Sequence, residues 1–149
     1  MVHPEAKAAI LDADVVVLGP GSLFTSVLPN LMVPGIKDAI NESNAIKIYI
    51  CNVATQVGET DGYNAADHII ALQNHTYDEI IDFALVNSTN IDLGNRYAGE
   101  PVIDDGTNLR HAKIIKAAIA DVKHPVRHTS EGLAREVLSL YHNSDVNKI

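Results

Sequence analysis

The sequence predicts an α/β fold with parallel strands. Two apolar runs, Val15–Leu18 and the run that begins at Ile46, are rich in β-branched residues and typical of buried strands. Between them, residues 33–44 repeat apolar side chains at helical spacing. A helix between consecutive strands makes a βαβ unit, whose strands are parallel. The chain has 149 residues, 46% of them hydrophobic, and we expect one α/β domain over residues 1–149.

The first third of the chain predicts a helix, a strand and a second helix. Pro4–Leu11 opens with Pro and Glu, which are favoured in the first helical turn. Val15–Leu18 is wholly apolar, and we expect it to be buried on both faces. Prolines, glycines and hydroxyl side chains interrupt residues 19–35, where Ser22 is suited to cap a helix. The second helix is expected over residues 33–44.

Further strands and helices follow along the chain. Residues 112–122 fit both a helix and a strand, and we favour a strand because β-branched side chains crowd the middle. Ser130 is suited to cap the last helix. The predicted elements are a strand from Ile46, a helix over residues 64–75, a strand near residues 80–87, a strand within residues 112–122 and a helix over residues 130–141.

The turn after the first strand predicts an anion site. A strand that ends in G-P-G-S and feeds a helix leaves unpaired backbone N–H groups, and the helix dipole favours negative charge beside them. The turn matches neither the dinucleotide fingerprint nor the phosphate loop, so a tight turn without a ligand is the alternative. Polar side chains nearby favour a binding role, namely those of Thr25, Ser26 and Asn30.

The polar loops after the strands are expected to face one crevice, because open α/β sheets bind ligands at the carboxyl ends of their strands. The second loop covers residues 52–63, and Asn87 ends the third strand. In the second loop, Glu59 and Asp61 could hold Mg²⁺ beside a phosphate or act as acid and base. The alternative for this pair is a solvated acidic loop.

A few other side chains could carry chemistry. Arg127 could bind a phosphate bidentately or pair with a surface acid. His68 and His128 could move protons, although a lone histidine is more often structural. Cys51 lies in an apolar run, which favours a core role over a nucleophilic one. No cluster has zinc spacing, and no serine lies in G-x-S-x-G.

Composition excludes several classes of function. The net charge of −8 argues against a nucleic-acid or anionic-membrane surface. A single cysteine forbids an internal disulfide, which favours a reducing, cytoplasmic setting. No apolar run reaches membrane-spanning length, and we expect neither a signal peptide nor membrane insertion.

Several motifs resemble those of one protein family. The first two are V-V-L-G-P-G-S-L-F-T-S-V-L-P-N-L-M-V-P-G-I and C-N-V-A-T-Q-V-G-E-T-D-G-Y-N-A-A-D-H, and L-V-N, Y-A-G-E-P-V and V-R-H-T-S-E-G-L-A follow. They resemble the gluconeogenesis-factor (YvcK-like) branch of the CofD-like, or 2-phospho-L-lactate transferase, family. The match covers only the C-terminal part of that family, whose opening strand and G-G-G-T-G loop have no counterpart here. We expect either a truncated gene product or a missing half that is supplied separately.

The resemblance implies a three-layer, Rossmann-like fold with a mainly parallel sheet and helices on both faces. It implies a cytoplasmic protein that binds a nucleotide sugar of the UDP-N-acetylglucosamine type and regulates carbon metabolism and cell shape. The alternatives are a 2-phospho-L-lactate transferase that acts on a deazaflavin, or an inactive fragment. No cofactor is assigned firmly, and Mg²⁺ with the nucleotide is the candidate. We also expect a homo-oligomer, because the absent strands leave an apolar edge.

The resemblance also implies ligand-binding residues. Tyr97 and Arg127 resemble the tyrosine and arginine that hold the nucleotide sugar in the regulatory branch. The G-P-G-S loop would line the crevice, and the second loop would form its facing wall. With the residues placed at strand ends, the candidates are Gly19, Gly21, Ser22, Thr25, Ser26, Asn30, Asn52, Thr55, Gln56, Thr60, Asn87, Tyr97 and Arg127, with Glu59 and Asp61 for Mg²⁺.

Overall fold

The computed structural model, which describes residues 1–145, contains a sheet of four parallel strands in chain order. The order places β1 at one edge of the sheet and β4 at the other. The loops that follow the strands therefore all leave from the same end of the sheet. The strands are β1 (Val15–Leu18), β2 (Ile46–Ile50), β3 (Phe83–Asn87) and β4 (Lys113–Ala117).

Helices cover both faces of the sheet, which confirms the predicted three layers. The first four helices contribute to one apolar cluster, and α5 contributes to the cluster on the opposite face. No helix within residues 1–145 combines the length and apolar character needed to cross a membrane. The helices are α1 (Pro4–Leu11), α2 (Leu28–Leu31), α3 (Ile36–Glu42), α4 (Ala65–Asn74) and α5 (Ser130–Asp145), with a π-helix over Leu23–Val27 and a 3₁₀ turn over Gly94–Arg96.

The central strand β2 joins the two clusters. Ile46, Ile48 and Ile50 point into the cluster under α5, while Tyr49 and Cys51 point into the other. This alternation follows from the two-residue period of a strand. Both sets of side chains are buried, as expected for a parallel strand covered by helices on both faces.

The prediction that β1 is buried on both faces is wrong. Val17, in the middle of the strand, is 45% exposed. The reason is that β1 lies at the edge, where it pairs with β2 alone among residues 1–145. The apolar pattern of β1 predicts that it is a strand, but whether a strand lies at the centre or at the edge of the sheet depends on the other strands.

Other boundaries differ by a few residues. The helix expected over residues 33–44 begins only at Ile36, because Gly35 before it has a φ of +95° that a helix cannot contain. The third strand begins at Phe83 instead of near residue 80, since the Ile80 N–H donates to the Tyr77 carbonyl in a turn. Within residues 112–122 the favoured strand is confirmed as β4. The helix expected over residues 64–75 is α4, and the last helix is longer than expected.

Candidate functional site

The carboxyl ends of the first strands open onto a cavity of about 800 Å³. Four segments contribute to its wall: residues 20–22 after β1, residues 52–57 after β2, residues 96–98, and residues 126–133 at the start of α5. The loops after β1 and β2 therefore meet, as the topology predicts. We call this cavity the crevice.

One glycine and one helix cap shape the first loop. Gly19 has a φ of +91°, and an added Cβ would lie 3.1 Å from the carbonyl oxygen of Ile50. A glycine lets the loop pass this close to β2. Ser22 Oγ accepts a hydrogen bond from the Thr25 N–H at 3.1 Å, which confirms the predicted cap.

The chain's own carboxylate contacts this loop. The Ser22 hydroxyl donates to Oε2 of Glu59. The Thr25 hydroxyl lies 3.2 Å from Oε1 of Glu59 and 2.6 Å from Ser22 Oγ. Glu59 thus ties the second loop to the first and presents negative charge where the sequence predicts an anion site. A bound anion at the G-P-G-S turn would have to compete with Glu59 for the hydroxyl donors.

Backbone pairing fixes a third segment to the second loop. The Thr55 N–H donates to the Glu100 carbonyl at 2.8 Å, and the Glu100 N–H donates to Thr55 Oγ1 at 2.8 Å. Gly99, next to this pair, has a φ of +105°, and an added Cβ would collide with the Thr55 carbonyl oxygen. We call this contact the Thr55–Gly99 junction. It holds the preceding residues, 96–98, at the wall of the crevice.

Two arginines and a tyrosine bring cationic and aromatic groups to the crevice: Arg96, Tyr97 and Arg127. Both arginines are exposed, and neither guanidinium has a hydrogen bond or an ion pair within residues 1–145. No Asp or Glu is among the residues that line the crevice. The whole chain carries 19 acidic and 11 basic residues, so the crevice is a cationic region in an acidic protein.

His128 also lines the crevice but brings no added charge at neutral pH. Its Nε2 lies 3.0 Å from the carbonyl oxygen of Cys51, so Nε2–H donates and Nδ1 is unprotonated in the neutral ring. Burial lowers the pKa of His128, while the hydrogen bond to Cys51 opposes that effect. Cys51 itself is fully buried, and burial raises the pKa of its thiol to about 12, as expected for a core cysteine.

The second histidine singled out from the sequence, His68, lies in α4 and does not line the crevice. Its Nδ1–H donates to the Asn64 carbonyl at 2.8 Å, and its Nε2 is buried without a partner. Burial lowers the pKa of His68, with the Asn64 carbonyl and Asp67 acting in the opposite direction. These contacts match the structural alternative for this residue.

The structure brings about half of the candidate ligand-binding residues together. They come from both loops and from the two later segments. Those that line the crevice are Gly21, Ser22, Asn52, Thr55, Gln56, Tyr97 and Arg127.

Other candidates lie elsewhere. Gly19, Ser26 and Asn30 line a separate groove of about 380 Å³ beside β1. Thr60 is 0% exposed, and its Oγ1 accepts a hydrogen bond from the Gln56 N–H at 2.9 Å. The polar character of these side chains was visible in the sequence, but the direction in which each points depends on the folded loops.

Asn87 does not reach the crevice either. It is 8% exposed, and its Nδ2 donates to the Thr89 carbonyl at 2.8 Å. Its Oδ1 accepts from the Ala120 N–H at 3.2 Å, and therefore joins the ends of β3 and β4. The expectation that the polar end of the third strand points into the crevice is corrected by these contacts.

The two acidic residues of the second loop have different partners. Glu59 accepts from Ser22, whereas Oδ2 of Asp61 accepts from the Gly58 N–H at 2.7 Å. Within residues 1–145, no three His, Cys, Asp or Glu side chains form a group that could hold a metal ion. A Mg²⁺ that comes with a nucleotide would therefore take most of its ligands from phosphate and water, and its presence stays a prediction.

Sequence reasoning did not identify Arg96. The only available signal was its position directly before Tyr97, which the family resemblance had already selected. A lone arginine in a polar segment is most often a surface residue, and this one reaches the crevice because the segment that follows it pairs with the second loop.

Comparison with known proteins assigns the chain to a family. The family described as 2-phospho-L-lactate transferase CofD matches residues 1–124. A gluconeogenesis factor from Halalkalibacterium halodurans is 53% identical over 111 residues, which cover 71% of this chain and 34% of the relative. A gluconeogenesis factor from Bacillus subtilis is 41% identical over 145 residues, which cover 92% of this chain and 46% of the relative.

A solved structure agrees with these matches. The crystal structure of a member of the UPF0052 family from Bacillus halodurans superposes with a TM-score of 0.86 at 44% identity, and the match covers 91% of this chain and 46% of that one. The chain thus spans between a third and a half of the length of these relatives. The resemblance noted in the sequence is confirmed, and the chain belongs to the CofD family.

Proposed function

We propose that the crevice binds a nucleotide sugar of the UDP-N-acetylglucosamine type, and that the chain is part of a cytoplasmic regulator of carbon metabolism and cell shape. The observation that carries the proposal is the charge of the crevice. Arg96 and Arg127 lie in one cavity whose lining residues include no Asp or Glu, in a chain of net charge −8. The names of the relatives, gluconeogenesis factors, support a metabolic role.

A diphosphate in this protein has to be held by local donors, because the overall charge repels it. An arginine that is already paired with an acid has fewer free N–H donors and less uncompensated positive charge for a ligand. The guanidinium of Arg127 has no partner within residues 1–145, while the backbone of Arg127 is held by hydrogen bonds. The Arg127 N–H donates to the His124 carbonyl at 2.7 Å, and its carbonyl accepts from the Asp121 N–H at 2.8 Å. An unpaired guanidinium on a backbone held in this way suits bidentate phosphate recognition.

The neutral part of the crevice suits a base or a sugar. Its volume of about 800 Å³ lies within the range of about 300–1,000 Å³ that is typical of small-molecule sites. Tyr97 offers an aromatic face. Asn52 Nδ2 donates to Gln56 Oε1 at 3.2 Å, so the carbonyl oxygen of Asn52 and the amide nitrogen of Gln56 are left for a ligand.

A second candidate follows from the description of the matched family, a 2-phospho-L-lactate transferase. Its specific support here is the hydroxyl–carboxylate pair of Ser22 and Glu59 beside the crevice, because a carboxylate can accept a proton from a hydroxyl. A transferase must turn over a guanylylated phospholactate donor and a deazaflavin acceptor, whereas a sensor needs only to bind.

Calorimetry and thermal melts with UDP-N-acetylglucosamine test the first proposal. We expect binding and a raised melting temperature for the wild type. Arg127→Ala should weaken binding about ten- to a hundredfold, which corresponds to about 1.5–3 kcal/mol for a hydrogen bond to a charged group. Arg127→Lys should fall between the two, because lysine keeps the charge and loses the bidentate geometry.

The control is Arg110→Ala. Arg110 is also exposed and unpaired within residues 1–145, but it lines a different cavity. This variant should bind like the wild type, and neither alanine variant should change the unliganded melt. Equal affinities in all four proteins would make Arg127 an ordinary surface residue, and no binding by the wild type would refute the proposal.

A further inference from the structure

Arg96 is the cationic residue whose role in the crevice is unassigned. It ends the 3₁₀ turn Gly94–Arg96 and lines the same cavity as Arg127, yet it belongs to a different segment, about thirty residues earlier in the chain. The Thr55–Gly99 junction holds the segment that follows it. Arg96 is therefore brought to the crevice by folding, and its guanidinium finds no acidic partner there.

Two unpaired guanidinium groups in one cavity repel each other. No ion pair relieves that repulsion within residues 1–145: no Asp or Glu lines the crevice, and Glu59 contacts the hydroxyls of Ser22 and Thr25 and pairs with neither arginine. His128 adds no compensating group, since its ring is neutral and donates to a backbone carbonyl. An anion is the chemical species that turns the repulsion into two attractive contacts.

We propose that Arg96 and Arg127 each bind one phosphoryl group of a diphosphate. Arg96 is then a specificity residue that favours a pyrophosphate-linked ligand over a ligand with one phosphate. This inference rests on the proposed function, because it concerns the same crevice and names the part of the ligand that each arginine binds. Two separate segments of the fold bring the two arginines to one cavity, where a single ligand with two phosphoryl groups can contact both.

The pair predicts a particular pattern of losses. A ligand with two phosphoryl groups contacts both arginines, so removal of either one should remove one arginine–phosphoryl contact and the affinity that this contact provides. A ligand with a single phosphate can use whichever arginine is left, so a single substitution costs little and only the double variant binds poorly. Losses are therefore close to additive for the diphosphate and strongly non-additive for the monophosphate.

Calorimetry on the 149-residue chain tests this with UDP-N-acetylglucosamine, UMP and inorganic pyrophosphate as probes. We expect Arg96→Ala to weaken UDP-N-acetylglucosamine and pyrophosphate binding at least tenfold, and UMP binding less than threefold. Arg96→Lys should lose less affinity than Arg96→Ala, because lysine keeps the charge. Arg110→Ala should bind all three probes like the wild type. The unliganded melt of Arg96→Ala should match the wild type, because this guanidinium has no partner to lose.

The outcomes separate the two proposals. Equal losses for UMP and UDP-N-acetylglucosamine, or no loss for either, would overturn the role of Arg96. Pyrophosphate binding that depends on Arg96, in a chain that does not bind the nucleotide sugar, would keep the two-arginine site and reject the proposed ligand. Absence of binding for all three probes would reject both.

Discussion

Replacement of Gly99 by alanine tests whether the Thr55–Gly99 junction holds the crevice together. Gly99 has a φ of +105°, which disfavours any L side chain. Its added Cβ would also collide with the Thr55 carbonyl oxygen, would lie 3.1 Å from Thr55 Oγ1 and would lie 3.2 Å from the Thr55 carbonyl carbon. Backbone atoms cannot swing aside as a flexible side chain can, so the two segments must move apart.

The expected cost has two parts. The left-handed conformation costs an alanine about 1–2 kcal/mol. The collision adds about 1–3 kcal/mol, the usual penalty for overpacking a filled site. Gly58→Ala isolates the first part, because Gly58 has a φ of +83° and its added Cβ would meet nothing within 4 Å. Gly99→Ala should therefore be about 2 kcal/mol less stable than Gly58→Ala.

Urea denaturation of the wild type and both variants measures the difference. With an m-value of about 2 kcal/mol/M, the midpoint of Gly99→Ala should lie about 1 M below that of Gly58→Ala. Gly99→Ala should also lose affinity for UDP-N-acetylglucosamine, since the segment with Arg96 and Tyr97 would be displaced. Equal urea midpoints for the two variants would show that the backbone around Gly99 moves to accept the Cβ at no cost in stability. The Thr55–Gly99 junction would then not position the wall of the crevice.

Two other predictions concern pH and self-association. Burial lowers the pKa of both His68 and His128, so the unfolded chain binds more protons below the usual histidine pKa of about 6.5. The free energy of unfolding should fall as the pH drops below about 6.5, by at most about 1.4 kcal/mol per pH unit for each histidine. Urea midpoints at pH 7.5 and 5.5 measure this, and an equally steep decline in His68→Leu would contradict the assignment to His68. The edge strand β1 should promote self-association that rises with concentration in sedimentation experiments, and Val17→Lys should reduce it, because a lysine near a sheet edge opposes edge pairing.

Local sequence was sufficient to predict most of the fold. The β-branched runs of β1 and β2 and the Ser22 cap are signals contained within a few residues. The errors concern properties that depend on distant parts of the chain. Val17 is exposed because of what pairs with β1, and Ile80 belongs to a turn although its burial resembles that of a strand residue.

The site was predictable at the level of loops and not at the level of side chains. Topology predicted that the loops after β1 and β2 meet, and they do. It could not predict that Asn87 would turn back to join β3 and β4, or that Ser22 would find its carboxylate partner 37 residues away in Glu59. Arg96 depends on the Thr55–Gly99 junction, a contact between segments that no local pattern encodes.

The placement of acidic groups explains how a chain of net charge −8 contains a cationic crevice. Glu59 of the second loop is held by the hydroxyls of Ser22 and Thr25 and does not line the cavity. An acid on the wall would pair with an arginine and cancel its charge, as Asp104 pairs with Lys116 at 3.2 Å elsewhere. The contact that ties the two loops together therefore also engages the Glu59 carboxylate, which forms no ion pair with Arg96 or Arg127 within residues 1–145.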